Sequence, residues 1–195
     1  PCDVADAEAV KNLVDTAVST LGGLDVLVNN AGLIDPIQRL DESDPKAWGL
    51  VVDVTLKGVY HGLRYGLPAM QATGGGTVIN ISSGAATGAL EGWSHYCATK
   101  AAVLSLTRCA DKEYRDRGIR VVGLSPGTVA TEMQVQIKAS GINPGSPLDP
   151  AVHIPAEWGG RAIVYLAGPG ADALLGTDFS LKTNAGRAEV GLPPL

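Results

Sequence analysis

Short apolar segments alternate along this chain with longer segments of helical periodicity. Four of the segments are brief, rich in β-branched residues and bounded by polar or glycine-containing turns, which predicts buried strands at 24–29, 77–81, 119–124 and 177–182. Apolar residues at three- and four-residue spacing predict the intervening helices at 6–21, 45–70, 94–117 and 155–167. Strands that alternate with helices in this way favour a parallel sheet covered by helices on both faces, a three-layer α/β/α architecture.

Local signals set the ends of several helices. Asp6 is a typical N-cap for the first helix, and Gly22 is positioned to end it. The helix that begins at Pro45 is expected to be interrupted or to end near Pro68, because proline removes a helical hydrogen bond. The helix from residue 94 carries small residues that favour close packing against another helix or the sheet, namely Ala98, Ala102, Ser105 and Cys109.

Composition excludes several classes of protein. The chain has 195 residues, 45% of them hydrophobic and 18% charged, which is sufficient for one folded domain spanning 1–195. Its formal charge of −5, with dispersed Lys and Arg, argues against nucleic acid as a partner. Three cysteines without C-x-x-C spacing or clustered histidines predict a cytoplasmic protein with no metal site. The longest charge-free stretch, 65–90, is interrupted by Pro68 and several glycines, so no membrane span is expected.

Polar and glycine-rich residues follow three of the predicted strands. These residues occupy 29–32, 82–84 and 125–128, each directly at the carboxyl end of a strand. Ligands bind beyond the carboxyl ends of strands in open α/β sheets. The sequence therefore places the functional site at this edge of the sheet.

Tyr96 and Lys100 are four residues apart on one predicted helix, so their side chains share a face. Taken alone, such a pair also occurs on ordinary helix surfaces. Its position is more informative, because the helix returns from the strand that ends at Ser82 and Ser83. A phenol with a neighbouring ammonium can exchange a proton with a carbonyl oxygen, and a serine hydroxyl can polarise that oxygen. A carbonyl needs this chemistry while it receives a hydride from a cofactor.

These residues resemble the short-chain dehydrogenase/reductases. The resemblance covers nearly all of the chain and is carried, in the family's order, by Asp3-Val4, Asn29-Asn30-Ala31-Gly32, Ser83 thirteen residues before Tyr96, Tyr96-Cys97-Ala98-Thr99-Lys100, and Pro126-Gly127 followed by Thr131. It implies a doubly wound, Rossmann-like parallel sheet and NAD or NADP as the cofactor. It also implies a homodimer or homotetramer built on the helices from Pro45 and Ser94 and on the last strand.

The resemblance assigns a role to each matching residue. Ser83 would hold and polarise the substrate oxygen, Tyr96 would be the general acid/base, and Lys100 would lower the pKa of Tyr96 and bind the nicotinamide ribose. Ser82 is the neighbouring strand-end residue, and the resemblance favours Ser83 over it for catalysis. The implied cofactor contacts are Asp3 and Val4 at the adenine, Asn29, Ala31 and Gly32 at the adenosine side, and Pro126, Gly127, Val129 and Thr131 at the nicotinamide.

The chain departs from the family pattern at three places. Thr55 stands where the family usually has an asparagine that completes a catalytic tetrad and holds a relay water, so a weakened or rerouted proton relay is expected. The usual Asp-Gly-Gly after the last strand is replaced by the segment 181–186. The N-terminal glycine-rich phosphate turn is absent, and the chain begins at Pro1 without Met, so we expect an N-terminally incomplete domain. The residues that distinguish NAD from NADP would lie in the same N-terminal βαβ unit as that turn. The choice between NAD and NADP therefore stays open.

The substrate pocket is expected between the Glu91-Gly92-Trp93 segment and a loop at 134–154. Trp93 either contacts the substrate or serves as packing, and His95 is expected at the rim. The sequence thus predicts an NAD(P)-dependent oxidoreductase that interconverts a small-molecule secondary alcohol and a ketone. Two alternatives remain open. One is a nucleotide-binding relative used as a scaffold or sensor, and the other is a fragment that binds nothing tightly.

Overall fold

Four parallel strands form a single sheet in which the strand order follows the chain, β1-β2-β3-β4. The structure is a computed structural model and describes residues 1–142 and 149–195. The strands are β1 (Val26–Asn29), β2 (Gly76–Ile81), β3 (Ile119–Ser125) and β4 (Asp178–Ser180). All four predicted strands are therefore present, and every carboxyl end lies at the same edge of the sheet.

Seven α-helices surround this sheet in the described residues. They are α1 (Ala7–Leu21), α2 (Pro45–Val51), α3 (Gly58–Ala72), α4 (Ser94–Tyr114), α5 (Glu132–Ser140), α6 (Ala156–Ala167) and α7 (Asn184–Glu189). The Asp6 carboxylate accepts hydrogen bonds from the first turn of α1, and Gly22 ends it in the left-handed conformation with φ +85°. Both signals had predicted this helix.

The two faces of the sheet bury separate hydrophobic clusters. On one face, Val78 and Val121 pack with Leu63 of α3 and Val103 of α4. On the other face, Ile79, Val122 and Leu124 pack with residues of α6 and the C-terminal segment, including Leu166 and Leu192. This confirms the three-layer, Rossmann-like α/β architecture. None of the helices in the described residues is long and apolar enough to cross a bilayer.

Strand β1 and the small-residue stripe of α4 are less buried within the chain than the sequence predicts. Strand β1 was expected to be buried on both faces, but it pairs only with β2 among the described strands, and Val26 is 42% exposed. The small-residue stripe of α4 is largely exposed and does not pack on the sheet, because the buried face of α4 carries Val103, Leu104 and Thr107 instead. Its packing against another helix stays a prediction. An apolar run or a row of small residues indicates packing without identifying the neighbour.

Two helical segments also differ from expectation. Pro68 does not end its helix, since α3 continues through it to Ala72. Residues 132–140 were partly assigned to a loop but form α5, whose weak amphipathic pattern contributes Ile137 as its buried residue. The rest of the predicted loop contains a short 3₁₀ turn at Pro150–Val152, and its residues 143–148 lie outside the described part of the chain.

Candidate active site

A cavity of about 1040 Å³ opens at the carboxyl ends of the strands. It brings together most of the predicted site residues, which come from the β1, β2 and β3 ends and from α4. The predicted residues that line it are Ala31, Gly32, Ser83, Trp93, Tyr96, Lys100, Pro126, Gly127, Val129 and Thr131. The site thus lies where a parallel α/β sheet is expected to bind its ligand.

The side chain of Ser83 lies beside the Tyr96 hydroxyl, where a hydrogen bond to it favours the phenolate. Ser83 leaves β2 just before a 3₁₀ turn, and its Oγ also accepts the Ala85 N–H at 3.2 Å. Burial raises the pKa of Tyr96, and the Ser83 bond opposes that rise. The predicted lowering of this pKa is therefore not found in the free chain, because burial of the ring dominates.

Lys100 is one helical turn from Tyr96, and its Nζ lies 5.5 Å from the centroid of the Tyr96 ring. The ammonium donates a hydrogen bond of 2.7 Å to the backbone carbonyl of Ile81 on β2. Burial lowers the pKa of Lys100 to about 8, and the negative charge of Asp178 acts in the opposite direction. Lys100 is therefore a cation fixed within the protein, close to its point of deprotonation at mildly alkaline pH.

Thr55 lies in a π-helical segment, Val52–Lys57, that joins α2 to α3. Its side chain is fully buried, and its Oγ1 accepts the Leu33 N–H at 3.1 Å. A Cβ added to Gly32 would lie 3.6 Å from Thr55 Oγ1 and 3.8 Å from Lys100 Nζ, so both groups border the same small space. Single π-helical turns occur frequently at functional sites. Here the π-helical segment holds Thr55 beside the Gly32 backbone, although Thr55 itself does not line the cavity.

The backbone after β3 fits the close approach of a nicotinamide cofactor. Gly127 has φ +88°, and a Cβ there would lie 3.0 Å from Lys182 Cγ. A side chain at this position would be strained and would crowd the cavity. The segment is fixed by a bridge between Val129 and Ile154. Gly32 and Gly127 both leave backbone accessible at the cavity that Lys100 also lines. Gly32, Lys100 and Gly127 are therefore the residues that would hold the cofactor.

Three predicted cofactor residues lie away from this cavity. The Asp3 carboxylate accepts the Ala5 N–H at 2.9 Å, and the Val4 carbonyl contacts His61 Nδ1 at 2.8 Å. The Asn29 amide is directed into the sheet, where it donates to Asn80 Oδ1 at 2.8 Å. Their assigned contacts with the adenosine part of the cofactor stay predictions.

Aromatic and imidazole groups beside Tyr96 complete the pocket wall. Trp93 meets the Tyr96 ring edge-on, with centroids 5.6 Å apart, and belongs to a cluster that includes Ile37 and Ile137. Trp93 therefore both packs and lines the cavity. The rim position predicted for His95 was wrong. Its ring is buried, and Nε2 contacts the Ile34 carbonyl at 2.6 Å, which ties α4 to the segment after β1.

Two charged residues near the site were missed as functional candidates. Lys182 lines the cavity, although the sequence had marked it only as part of an altered C-terminal segment. Asp178 lies on β4, where its carboxylate accepts the Ser82 hydroxyl at 3.0 Å. The sequence signal that could have identified Asp178 is its charge, because a charged residue is unusual inside a predicted buried strand.

A parallel Rossmann-like sheet with Ser, Tyr and Lys side chains gathered at its carboxyl edge defines the class of nicotinamide-dependent oxidoreductases. Residues 1–141 match the family model described as short chain dehydrogenase. The chain belongs to the short-chain dehydrogenase family. The cyclohexanol dehydrogenase of Acinetobacter sp. strain SE19 is 37% identical over 131 residues, which cover 67% of this chain and 52% of that protein. The chain spans about half the length of the curated relatives it matches.

Solved structures agree with this assignment. Carveol dehydrogenase from Mycobacterium avium, in complex with NAD, superposes with a TM-score of 0.82 at 28% identity, covering 92% of this chain and 71% of that one. ElxO with NADP bound gives a TM-score of 0.79 at 30% identity, covering 92% and 74% of the two chains. Members of this fold therefore bind either form of the cofactor.

Proposed function

We propose that this chain carries the catalytic site of an NAD(P)-dependent oxidoreductase that interconverts a secondary alcohol and a ketone. The observation that carries the proposal is the grouping of three side chains, with Ser83 beside the Tyr96 hydroxyl and the Lys100 ammonium 5.5 Å from the centroid of the Tyr96 ring. All three side chains border one cavity. Bound NAD(P) supplies or accepts the hydride.

Each of the three side chains has a distinct task in ketone reduction. The Ser83 hydroxyl donates a hydrogen bond to the carbonyl oxygen and holds it against the phenol. Tyr96 transfers its phenolic proton to that oxygen as the alcohol forms. Lys100 stabilises the resulting phenolate by its positive charge. In alcohol oxidation the phenolate takes the hydroxyl proton back.

The pKa of Tyr96 bears on the direction of the reaction. Because burial raises this pKa above its ordinary value, the phenol is protonated at neutral pH. A protonated phenol is the form needed to reduce a ketone. We therefore expect reduction to be favoured near pH 7 and oxidation to increase as the pH rises.

The substrate side of the cavity is apolar. Its wall contains Leu33, Leu90, Trp93, Met133 and Ile137. Such a wall favours a compact hydrocarbon skeleton with one reacting oxygen, for which cyclohexanol and cyclohexanone are suitable probes. We therefore propose a small alicyclic or branched alcohol and ketone as the substrate class.

Replacement of Tyr96 by Phe tests the proposal in the full-length protein. We expect turnover of cyclohexanone with NADH or NADPH to fall by about 10²-fold or more, because the proton donor is lost. Cofactor affinity, followed by nicotinamide fluorescence, should stay within about two-fold of the parent chain. Tyr60→Phe is the matched control, since Tyr60 is half exposed on α3. Undiminished turnover in the Tyr96 variant would contradict the assignment.

Ser83→Ala tests the second group independently. Loss of one hydrogen bond to a developing oxyanion lowers kcat by about 10²–10³-fold. Thr87→Ala, in the same turn but exposed, should leave kcat unchanged. If the parent protein instead binds cofactor but turns over none of a panel of ketones and alcohols, the scaffold or sensor function is supported.

We also propose that the chain assembles as a homodimer or homotetramer. The exposed small residues of α4 permit close approach of a second helix. Leu50 of α2 and Tyr60 of α3 are large apolar side chains that are also half exposed. Sedimentation velocity of the full-length protein tests this. A monomer at micromolar concentration would contradict it.

A further inference from the structure

A row of polar groups crosses the sheet just before its carboxyl edge. Asn29 of β1 is in register with Asn80 of β2, which is in register with Gly123 of β3 and then with Asp178 of β4. Asn29 and Asn80 are hydrogen-bonded to each other, and Asn80 donates to Thr107 of α4 at 2.9 Å. The amides are therefore satisfied within the sheet and α4, whereas Asp178 ends the row with a charge.

The Asp178 carboxylate has one bonded oxygen and one free oxygen. Oδ2 accepts the Ser82 hydroxyl at 3.0 Å. Oδ1 is buried and has no hydrogen-bond partner in the described residues. A Cβ on Gly123 would lie 2.9 Å from Oδ1, so glycine at this position leaves the space that the carboxylate occupies. A buried, half-satisfied carboxylate costs stability unless a positive charge compensates it.

The compensating charges come from α4. Burial raises the pKa of Asp178 above its ordinary value, and the Ser82 hydrogen bond and the charges of Lys100 and Arg108 oppose that rise. Lys100 is also tied to the same strand end, because its ammonium donates to Ile81, the residue before Ser82. The Asp178 carboxylate and the Lys100 ammonium are thus hydrogen-bonded to consecutive residues, Ser82 and Ile81, at the carboxyl end of β2. Tyr96 is the other titratable group beside Lys100 on this face.

We propose that Asp178, held by Ser82, is a positioning residue that serves as the buried counter-charge keeping Lys100 in its ammonium form beside Tyr96. The proposal rests on the proposed function only for its effect on turnover. The physical need is clear, since burial alone drives a lysine towards its neutral amine. A neutral Lys100 would neither stabilise the Tyr96 phenolate nor donate three hydrogen bonds.

Two neutral substitutions test the proposal. Asp178→Asn keeps the shape of the side chain, and Asp178→Thr replaces it with a residue favoured in strands. Asp172→Asn is the control, since Asp172 is an exposed carboxylate paired with Arg120. The direct readout is the titration midpoint of Lys100, followed by NMR of the full-length protein labelled at lysine ¹³Cε and assigned with Lys100→Arg.

We expect the midpoint, about 8 in the parent chain, to fall by roughly half to one pH unit in both Asp178 variants. It should not move in the Asp172 control. The alkaline limb of kcat/KM for ketone reduction should move down by the same amount. A purely structural role would alter the melting temperature without moving the midpoint.

The outcomes separate this inference from the proposed function. An unchanged midpoint in both Asp178 variants overturns the inference, whatever the turnover. A change in only one of the variants also overturns it, because loss of charge is common to both. A lowered midpoint in a protein without turnover supports the inference and contradicts the proposed function.

Discussion

The Nζ atom of Lys100 lies 5.5 Å from the centre of the Tyr96 ring while donating a 2.7 Å hydrogen bond to the Ile81 carbonyl. The ammonium is therefore held by the sheet and not by the phenol. This arrangement leaves the phenolic oxygen available to Ser83 and to a substrate. It also makes the charge on Lys100 depend on its buried surroundings, since burial is the main cause of its lowered pKa.

The first prediction concerns pH. Because the pKa of Lys100 is lowered to about 8, its positive charge is present below that pH and is lost above it. We expect kcat/KM for ketone reduction to be level near neutrality and to fall above about pH 8. This parameter reports the ionisations of the free enzyme, so it is the one to measure.

Lys100→Arg provides the matched comparison for this pH dependence. A guanidinium stays protonated throughout the accessible range, so the fall above about pH 8 should disappear. The plateau should also be lower, because the larger head group does not fit the Ile81 contact. An unchanged alkaline limb in this variant would show that another group titrates.

Several parts of the fold follow directly from local sequence signals. Helix α1 could be predicted because Asp6 and Gly22 act on their own neighbours. The short spacing between Tyr96 and Lys100 likewise fixes their common helix face. The carboxyl edge of the sheet could be located from strand ends alone, which placed Ser83 and Gly127 correctly at the cavity.

The remaining features depend on contacts between distant segments. The bond between Ser82 and Asp178 joins residues 96 positions apart and requires the register of three strands. The burial of His95 depends on the segment after β1 that contains Ile34, and no helical pattern reveals this contact. The π-helical turn at Thr55 has no local signal either, because its composition is that of an ordinary helix.

The second prediction concerns Thr55. Its Oγ1 accepts a hydrogen bond from the Leu33 N–H. Leu33 directly follows Gly32, whose backbone lies close to the Lys100 ammonium. Thr55→Val removes that acceptor without changing the side-chain shape, and losing this part-buried hydrogen bond costs about 0.5–1.5 kcal/mol. We expect a lower free energy of unfolding in urea and a roughly ten-fold loss of kcat/KM. Thr55→Ser retains the hydroxyl and should behave nearly as the parent, whereas equal losses in the two variants would contradict this role.

The third prediction concerns the cation at the opposite side of the cavity. Lys182 packs its stem against Gly127 and forms no ion pair within the described residues. Its charge is therefore free to meet a phosphate of NAD(P). Lys182→Gln should weaken cofactor binding by about two- to five-fold, the effect of one exposed ionic contact, and less at high salt. Lys138→Gln on α5, outside the cavity lining, should leave the affinity unchanged.

The fourth prediction tests the polar row inside the sheet. A Cβ on Gly62 of α3 would overlap the Asn29 side-chain oxygen, which belongs to the amide pair with Asn80. Gly62→Ala should therefore lower the free energy of unfolding by about 1–3 kcal/mol, the usual cost of overpacking. Gly49→Ala in α2 meets nothing within 4 Å and should stabilise the chain by about 0.5–1 kcal/mol through helix propensity. The measurement is the free energy of unfolding of both variants in urea. Equal changes in the two variants would mean that α3 does not pack against Asn29, and the Asn29 amide would then be available to the cofactor.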